Sequence, residues 1–319
     1  MIKFPIDFVL PYVNNYDPIW QTNYKKYCIA SGNKNRLDAI SGERYRDFGW
    51  LVYLFRGIDK YMPFIRKVYF IVSNIEQVPT WIDQEKVQVV LHKDFIPEQY
   101  LPTYNSTTIE MFIPDIKGLS EHFIYGNDDI FPMAPTTAED YFTEDGNPKI
   151  SFGWAKLKPN TEQFWKVCHK MYIDLVTALK VEKGEEGSFL VPTHSLTPIT
   201  KKQAKAARKV LKETLPKLIT NFRSDTNYNQ YIYSEYAYLS GVIPIDGSQR
   251  TVKYMALDKK KISAIMSAIN ETGTQELILN DTEKTIFSYW HAMQHHINRC
   301  FINKFPNKSK YEKMNGAIK

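Results

Sequence analysis

The apolar run His122-Phe123-Ile124-Tyr125 reads as a buried strand, and one glycine later comes Asn127-Asp128-Asp129. Two adjacent carboxylates at such a place must be hydrated, paired or bound to a cation, because an unpaired buried charge is strongly unfavourable. Open α/β sheets bind ligands beyond the carboxyl ends of their strands, where such a pair can hold a divalent ion against a diphosphate. Gly126-Asn127-Asp128-Asp129 is also good turn chemistry in its own right. These four residues alone do not separate the two readings. Asn280-Asp281 repeats the arrangement after the apolar Leu277-Ile278-Leu279. Its amide and carboxylate oxygens can complete an oxygen-rich Mg2+ shell.

Other segments carry residues suited to nucleotides, phosphate or proton transfer. Asp17, in Asn14-Asn15-Tyr16-Asp17-Pro18 after the first strand, can meet a ribose or base, although an Asp-Pro turn explains it as well. Asp7 sits inside that strand, where a carboxylate is either paired with an arginine or functional. Arg44-Tyr45-Arg46-Asp47 precedes a helix carrying Arg56, and guanidinium forks match phosphate oxygens while a helix start favours anions. A capped, solvated helix start is the alternative. Asn105 and Ser106 close a loop entering a helix and can touch a sugar or phosphate, or simply cap. His194, in a Pro192-to-Pro198 loop expected between helices, can act as a base near neutral pH, though a lone loop histidine is more often structural. Arg223 can clamp phosphate or lie on the surface. The adjacent His295-His296 does not form a metal motif, since neighbours on a helix diverge.

The elements that must position these residues follow from hydrophobic periodicity. Ile6 to Val13, Lys67 to Ser73, Val87 to His92 and His122 to Tyr125 read as strands buried on both faces. Tyr45 to Tyr61 has helical spacing and is closed by Pro63, and Ser106 is expected to cap a helix carrying Ile109, Met111 and Phe112. Alternation of strands and helices implies a mostly parallel, Rossmann-like α/β sheet. Beyond residue 150 the pattern turns helical, at Gln163 to Leu179, Thr200 to Leu218, Tyr228 to Leu239 and Glu283 to Phe301. The expected organisation is an α/β nucleotide- and metal-binding core over 1–150 and a largely helical C-terminal half over 151–319 that completes one site.

Composition narrows the function classes. With 43% hydrophobic and 24% charged residues in 319, the chain is globular. A net charge of +6 suits an anionic substrate or a membrane surface and falls short of a nucleic-acid binder. Three scattered cysteines without CxxC argue against a zinc site or disulfide frame. No apolar run of membrane-spanning length and no signal-peptide layout is present, so a cytoplasmic protein is expected, with peripheral contact at the inner face of the membrane left open.

The order of these motifs resembles the Stealth family. Ile6 to Val13 with Asp17-Pro18 is similar to its first block. Arg44-Tyr45-Arg46-Asp47, Tyr61 to Tyr69, Pro79-Thr80-Trp81, Leu101 to Ser106 and Gly118 to Asp129 resemble its long second block. His194 with Pro198, then Phe222-Arg223, resembles the third, and Asn280-Asp281 with Phe305-Pro306 and Ser309 the fourth. Gly126 and Tyr12 depart from the usual pattern. The resemblance implies transfer of a sugar 1-phosphate from a UDP-sugar donor to a polysaccharide or oligosaccharide hydroxyl, with release of UMP and a need for Mg2+ or Mn2+. It suggests Asp128 and Asp129 for metal and diphosphate, His194 as base, Arg223 as a phosphate contact and Asn280-Asp281 as a completing pair. Two rivals stand beside it: a metal-dependent glycosyltransferase releasing UDP, and a non-catalytic glycan-binding protein. The sequence assigns neither donor sugar nor oligomeric state.

Overall fold

The computed structural model describes residues 1–30, 48–182, 184, 186–281 and 287–314. The four apolar runs form β1 (Ile6–Pro11), β2 (Ile65–Val72), β3 (Val87–Leu91) and β4 (His122–Tyr125). Hydrogen bonding orders a five-stranded sheet β3-β2-β1-β4-β8, in which β8 is Thr197–Thr200. Tyr12, just past β1, donates its N–H to Ile71 near the end of β2, so these two strands run the same way. Ser120 donates to Asp7 at the start of β1, and Gly126 donates to Val9 farther along it, so β4 also runs parallel to β1. β8 is antiparallel to its neighbour β4, with Ile124 opposite Pro198. The result is a mixed, mainly α/β sheet. Asp7 uses one oxygen to accept both the backbone N–H and the hydroxyl of Ser120, which offsets its complete burial.

Helices α1 (Pro18–Ala30) and α2 (Leu51–Tyr61) connect β1 to β2. The latter realises the described part of the expected 45–61 helix and ends before Pro63, as the missing N–H of proline requires. Phe55 on α2 packs edge-on against Phe70 and Trp81. Gly57 lies inside this helix, where glycine ordinarily destabilises by about 1 kcal/mol. A Cβ there would come 2.6 Å from the Pro132 carbonyl oxygen. The glycine thus allows α2 to lie directly on β5 (Ile130–Pro132), the strand that follows Asp128-Asp129.

The short helix α3 (Ser106–Phe112) begins one residue earlier in capping terms than the sequence suggests. Asn105, not Ser106, is the cap, its Oδ1 accepting from the Thr107 N–H at 3.2 Å. Helix α4 spans Gln163–Leu179, as its periodicity indicates. The basic helix α5 is shorter than expected, Lys201–Val210, capped by the Thr200 hydroxyl. Pro216 disfavours helical backbone at Leu215, so the expected extension to Leu218 becomes a 3-10 turn at Leu215–Lys217. Helices α6 (Tyr231–Leu239), α7 (Ile262–Asn270) and α8 (Phe287–Lys304) complete the set.

The second half also contributes strands, of which the sequence marked only the apolar run Leu277-Ile278-Leu279. A hairpin joins β6 (Phe152–Lys156) to β7 (Ser188–Pro192), and β9 (Val252–Ala256) lies parallel to β10 (Glu276–Asn280), which pairs antiparallel with β5. His194 therefore sits between two strands, β7 and β8, rather than between helices. Contacts divide the chain into two compact units. The first comprises Met1–Asp7, Leu91–Tyr125 and Ala138–Gln249, the second Phe8–Val90, Gly126–Thr137 and Arg250–Lys319. No helix among the described residues is long and apolar enough to cross a membrane, and Cys28, Cys168 and Cys300 are free thiols.

Candidate functional site

The second unit resumes at Gly126, which leads into the turn Asn127-Asp128-Asp129. Asp128 is exposed and Asp129 half-buried. The turn closes with Ile130 N–H donating to the Asn127 carbonyl. The Asp129 carbonyl accepts from Leu279 N–H at 2.9 Å, extending the β5–β10 pairing to the base of Asn280-Asp281. Tyr254, on the neighbouring β9, hydrogen bonds to the Asn280 side chain. Burial first, and then the charge of Asp129, push the Tyr254 hydroxyl above its ordinary pKa. Sheet pairing therefore brings Asp129, Asn280 and Tyr254 to one end of a three-stranded sheet, although 127–129 and 280–281 are far apart in sequence.

Other candidates of this unit have structural duties. Asp17 caps α1, its Oδ1 accepting from Ile19 N–H at 2.9 Å, while its Oδ2 accepts from Gln77 Nε2 at 2.6 Å. Gln77 in turn accepts from Asn14 N–H at 2.6 Å, which ties the β1 turn to the segment after β2. Arg56 is not available for phosphate. Its Nε and Nη2 each lie 2.8 Å from a Glu312 oxygen and its Nη1 donates to the Phe305 carbonyl at 2.8 Å. The partner glutamate lies 256 residues away, which is why sequence spacing cannot reveal the pair. Arg44 and Arg46 lie outside the described residues.

The first unit gathers a second polar cluster, around a residue that the sequence reading missed. Glu110 is buried on α3, its Oε2 accepting from Gln230 N–H at 2.8 Å and its Oε1 from the Tyr125 hydroxyl at 3.2 Å. Burial pushes the Glu110 carboxyl up. The Gln230 N–H, the Arg223 charge, the Tyr125 hydroxyl and the His194 charge each oppose that rise. His194 and Arg223, the expected base and phosphate contact, thus lie within electrostatic reach of one buried carboxylate. A glutamate between Ile109 and Met111 on a short apolar helix was the available signal.

The Arg223 loop is clamped onto the segment before α3. Tyr104 stacks on Phe222 with ring centroids 5.4 Å apart and donates its N–H to the Asn221 carbonyl at 2.7 Å. Asn105 Nδ2 donates to the Thr220 carbonyl at 3.1 Å and to Asn227 Oδ1 at 3.0 Å. Asn105 is therefore fully engaged in holding this loop, whereas Ser106 is exposed at the helix start. Asn105, expected to touch a cofactor, holds the loop that carries Arg223.

An oxygen-only donor set, Asp128, Asp129, Asn280 and Asp281, fits a hard divalent ion. Among the described residues no group of three or more His, Cys, Asp or Glu side chains is arranged to hold a metal.

One unit thus carries oxygen donors at strand ends, Asp129 and Asn280, and the other a histidine and an arginine whose charges reach the buried Glu110. Residues 44–150 match the family model described as Stealth protein CR2, conserved region 2. It is 40% identical over 157 residues to the receptor polysaccharide phosphotransferase WefC of Streptococcus oralis, covering 48% of this chain and 46% of that protein. It is 44% identical over 150 residues to the exopolysaccharide phosphotransferase cps2G of Lactiplantibacillus plantarum, covering 46% and 42%. In these alignments the chain spans about half the length of the relatives or less. The capsular polysaccharide phosphotransferase WcwK of Streptococcus pneumoniae aligns at 29% identity over 97% of this chain and 99% of its own.

Proposed function

We propose that the chain is a polysaccharide phosphotransferase of capsule or exopolysaccharide synthesis. It moves a hexose 1-phosphate, an N-acetylhexosamine 1-phosphate in this reading, from a UDP-sugar to a glycan hydroxyl. The acceptor oxygen attacks the sugar-bearing phosphorus, the bond from that phosphorus to the UMP oxygen breaks, and UMP leaves with the electron pair. His194 takes the acceptor proton, the buried Glu110 carboxylate stabilises the charge that the histidine then carries, and Arg223 neutralises charge on the transferring phosphoryl group. Such transfer demands mainly positioning and charge neutralisation. A divalent ion, if held by Asp129 and Asn280 with Asp128 and Asp281 beside them, would supply neutralisation of a phosphate ligand there.

The observation that carries this reading is the buried Glu110 carboxylate, hydrogen bonded by Tyr125 and Gln230 and within electrostatic reach of Arg223 and His194. These residues are scattered along the sequence, and Tyr125 lies in the Stealth region while His194 and Arg223 lie beyond it. The names of the relatives support the activity, and the free thiols support a reducing, cytoplasmic setting. The test is the nucleotide released from UDP-N-acetylglucosamine and related donors with Mg2+ and capsule-type acceptors. UMP is expected, lost with EDTA and in Asp129→Asn; UDP would mean attack at the sugar carbon.

A further inference from the structure

Within the first unit, the β6–β7 hairpin and the start of α4 border an open cleft of about 640 Å3, a volume typical of small-ligand sites. Trp154, Trp165, Phe189 and Tyr231 line it together with Thr193 and His194. The hairpin register explains the hollow. Gly153 stands opposite Val191 and Ala155 opposite Phe189, so small residues leave space beside large ones. A Cβ on Gly153 would meet nothing within 4 Å.

The aromatic wall is fixed and wet. Trp154 remains 49% exposed, yet its indole packs edge-on against Tyr172 at 6.1 Å and abuts Gly184, where a Cβ would lie 2.9 Å from the ring. Trp165 meets Phe164 edge-on at 5.0 Å. Rigid rings left in water forgo burial and are suited to a ligand with an apolar face and a polar rim. The charged rim consists of Lys156 and Glu162, one of each sign, which gives no net attraction for a diphosphate.

We propose that this cleft is an acceptor subsite, binding an uncharged pyranose segment of the glycan with a ring face on the tryptophan wall and a hydroxyl toward His194. The word acceptor rests on the phosphotransferase reading above; the saccharide site does not.

The test uses the full chain, with tryptophan fluorescence and saturation-transfer NMR, and lactose, N-acetyllactosamine, chitobiose and maltotriose as neutral probes. UMP serves as the nucleotide comparator. At least one neutral saccharide should give a saturable change, weakened at least tenfold in Trp165→Ala and in Gly153→Tyr. The latter fills the cleft from a position with room for a side chain, so it remains informative if the tryptophan variant misfolds. No saturable change with any of the four, equal binding in folded variants, or displacement of saccharide by UMP would overturn the proposal. Binding is read without turnover. Failure to release UMP would therefore overturn the phosphotransferase reading alone, and failure to bind saccharide the cleft alone.

Discussion

Replacing Arg56 by methionine separates a structural arginine from a substrate-binding one. The guanidinium makes two 2.8 Å contacts with Glu312 and one with the Phe305 carbonyl, and the two side chains are only 9% and 1% exposed. Glu312 also accepts from the Ser309 N–H at 2.8 Å and from its hydroxyl at 3.1 Å. Arg56→Met leaves that carboxylate buried without its cation, a loss of about 3–5 kcal/mol for a broken buried pair. The double variant Arg56→Met with Glu312→Leu should recover most of it, because desolvation of both charges disappears together. Burial pushes the Glu312 carboxyl up, but the Arg56 and Ser309 hydrogen bonds outweigh it and hold the group below its ordinary value. A depressed carboxylate stabilises above its unfolded pKa, and that contribution fades as pH falls through the folded value. The gap between wild type and Arg56→Met should accordingly narrow in acid. Urea midpoints at pH 7 and pH 4 measure this, beside the donor KM. A loss below about 1 kcal/mol together with a raised donor KM would refute the structural assignment.

Three further outcomes follow from buried titratable groups. Burial lowers the His92 pKa from 6.5 to about 4, so stability present above pH 6.5 is lost as pH falls toward 4. Between pH 7 and pH 5 that amounts to about 2 kcal/mol, and a folded His92→Phe variant should lack this component of the urea-midpoint shift. Both Glu235 carboxylate oxygens are buried with no hydrogen-bond partner among the described residues, and burial raises the pKa well above 4.5. Its destabilisation grows as pH rises from 4.5 toward the folded value, so Glu235→Leu should gain about 1–3 kcal/mol at pH 8 and little at pH 4. Glu110→Gln should lower kcat/KM about tenfold to a hundredfold and erase an acid limb above pH 4.5, since Glu110 must ionise to act on His194. An unaltered pH profile would remove it from the mechanism.

The sheet was legible because β1 and β4 are apolar runs buried along nearly their whole length, whereas β3, expected to be buried on both faces, lies at the sheet edge and exposes Gln88. Helix α4 was legible for the complementary reason, a long stretch of period 3.6. Strand β8 was hidden by Pro198, which an edge position tolerates because it gives up a ladder hydrogen bond. The β6–β7 hairpin was hidden by Gly153 and by a 31-residue separation of its strands, filled largely by α4. At the candidate site, residue types marked Asp129, Asn280, His194 and Arg223, but their partners are tertiary. Glu110 draws its meaning from Arg223 and His194, and Arg56 from Glu312, and local sequence carries no trace of either association.

The most direct test of the central claim is identification of the nucleotide released when the protein, a UDP-sugar and a glycan acceptor are combined with Mg2+, for wild type, His194→Ala, Arg223→Met and Asp129→Asn. The account predicts UMP in step with a new glycan phosphodiester, and loss of most of that rate in each folded variant. UDP as the product, or UMP formed at an undiminished rate by the folded His194→Ala protein, would contradict it.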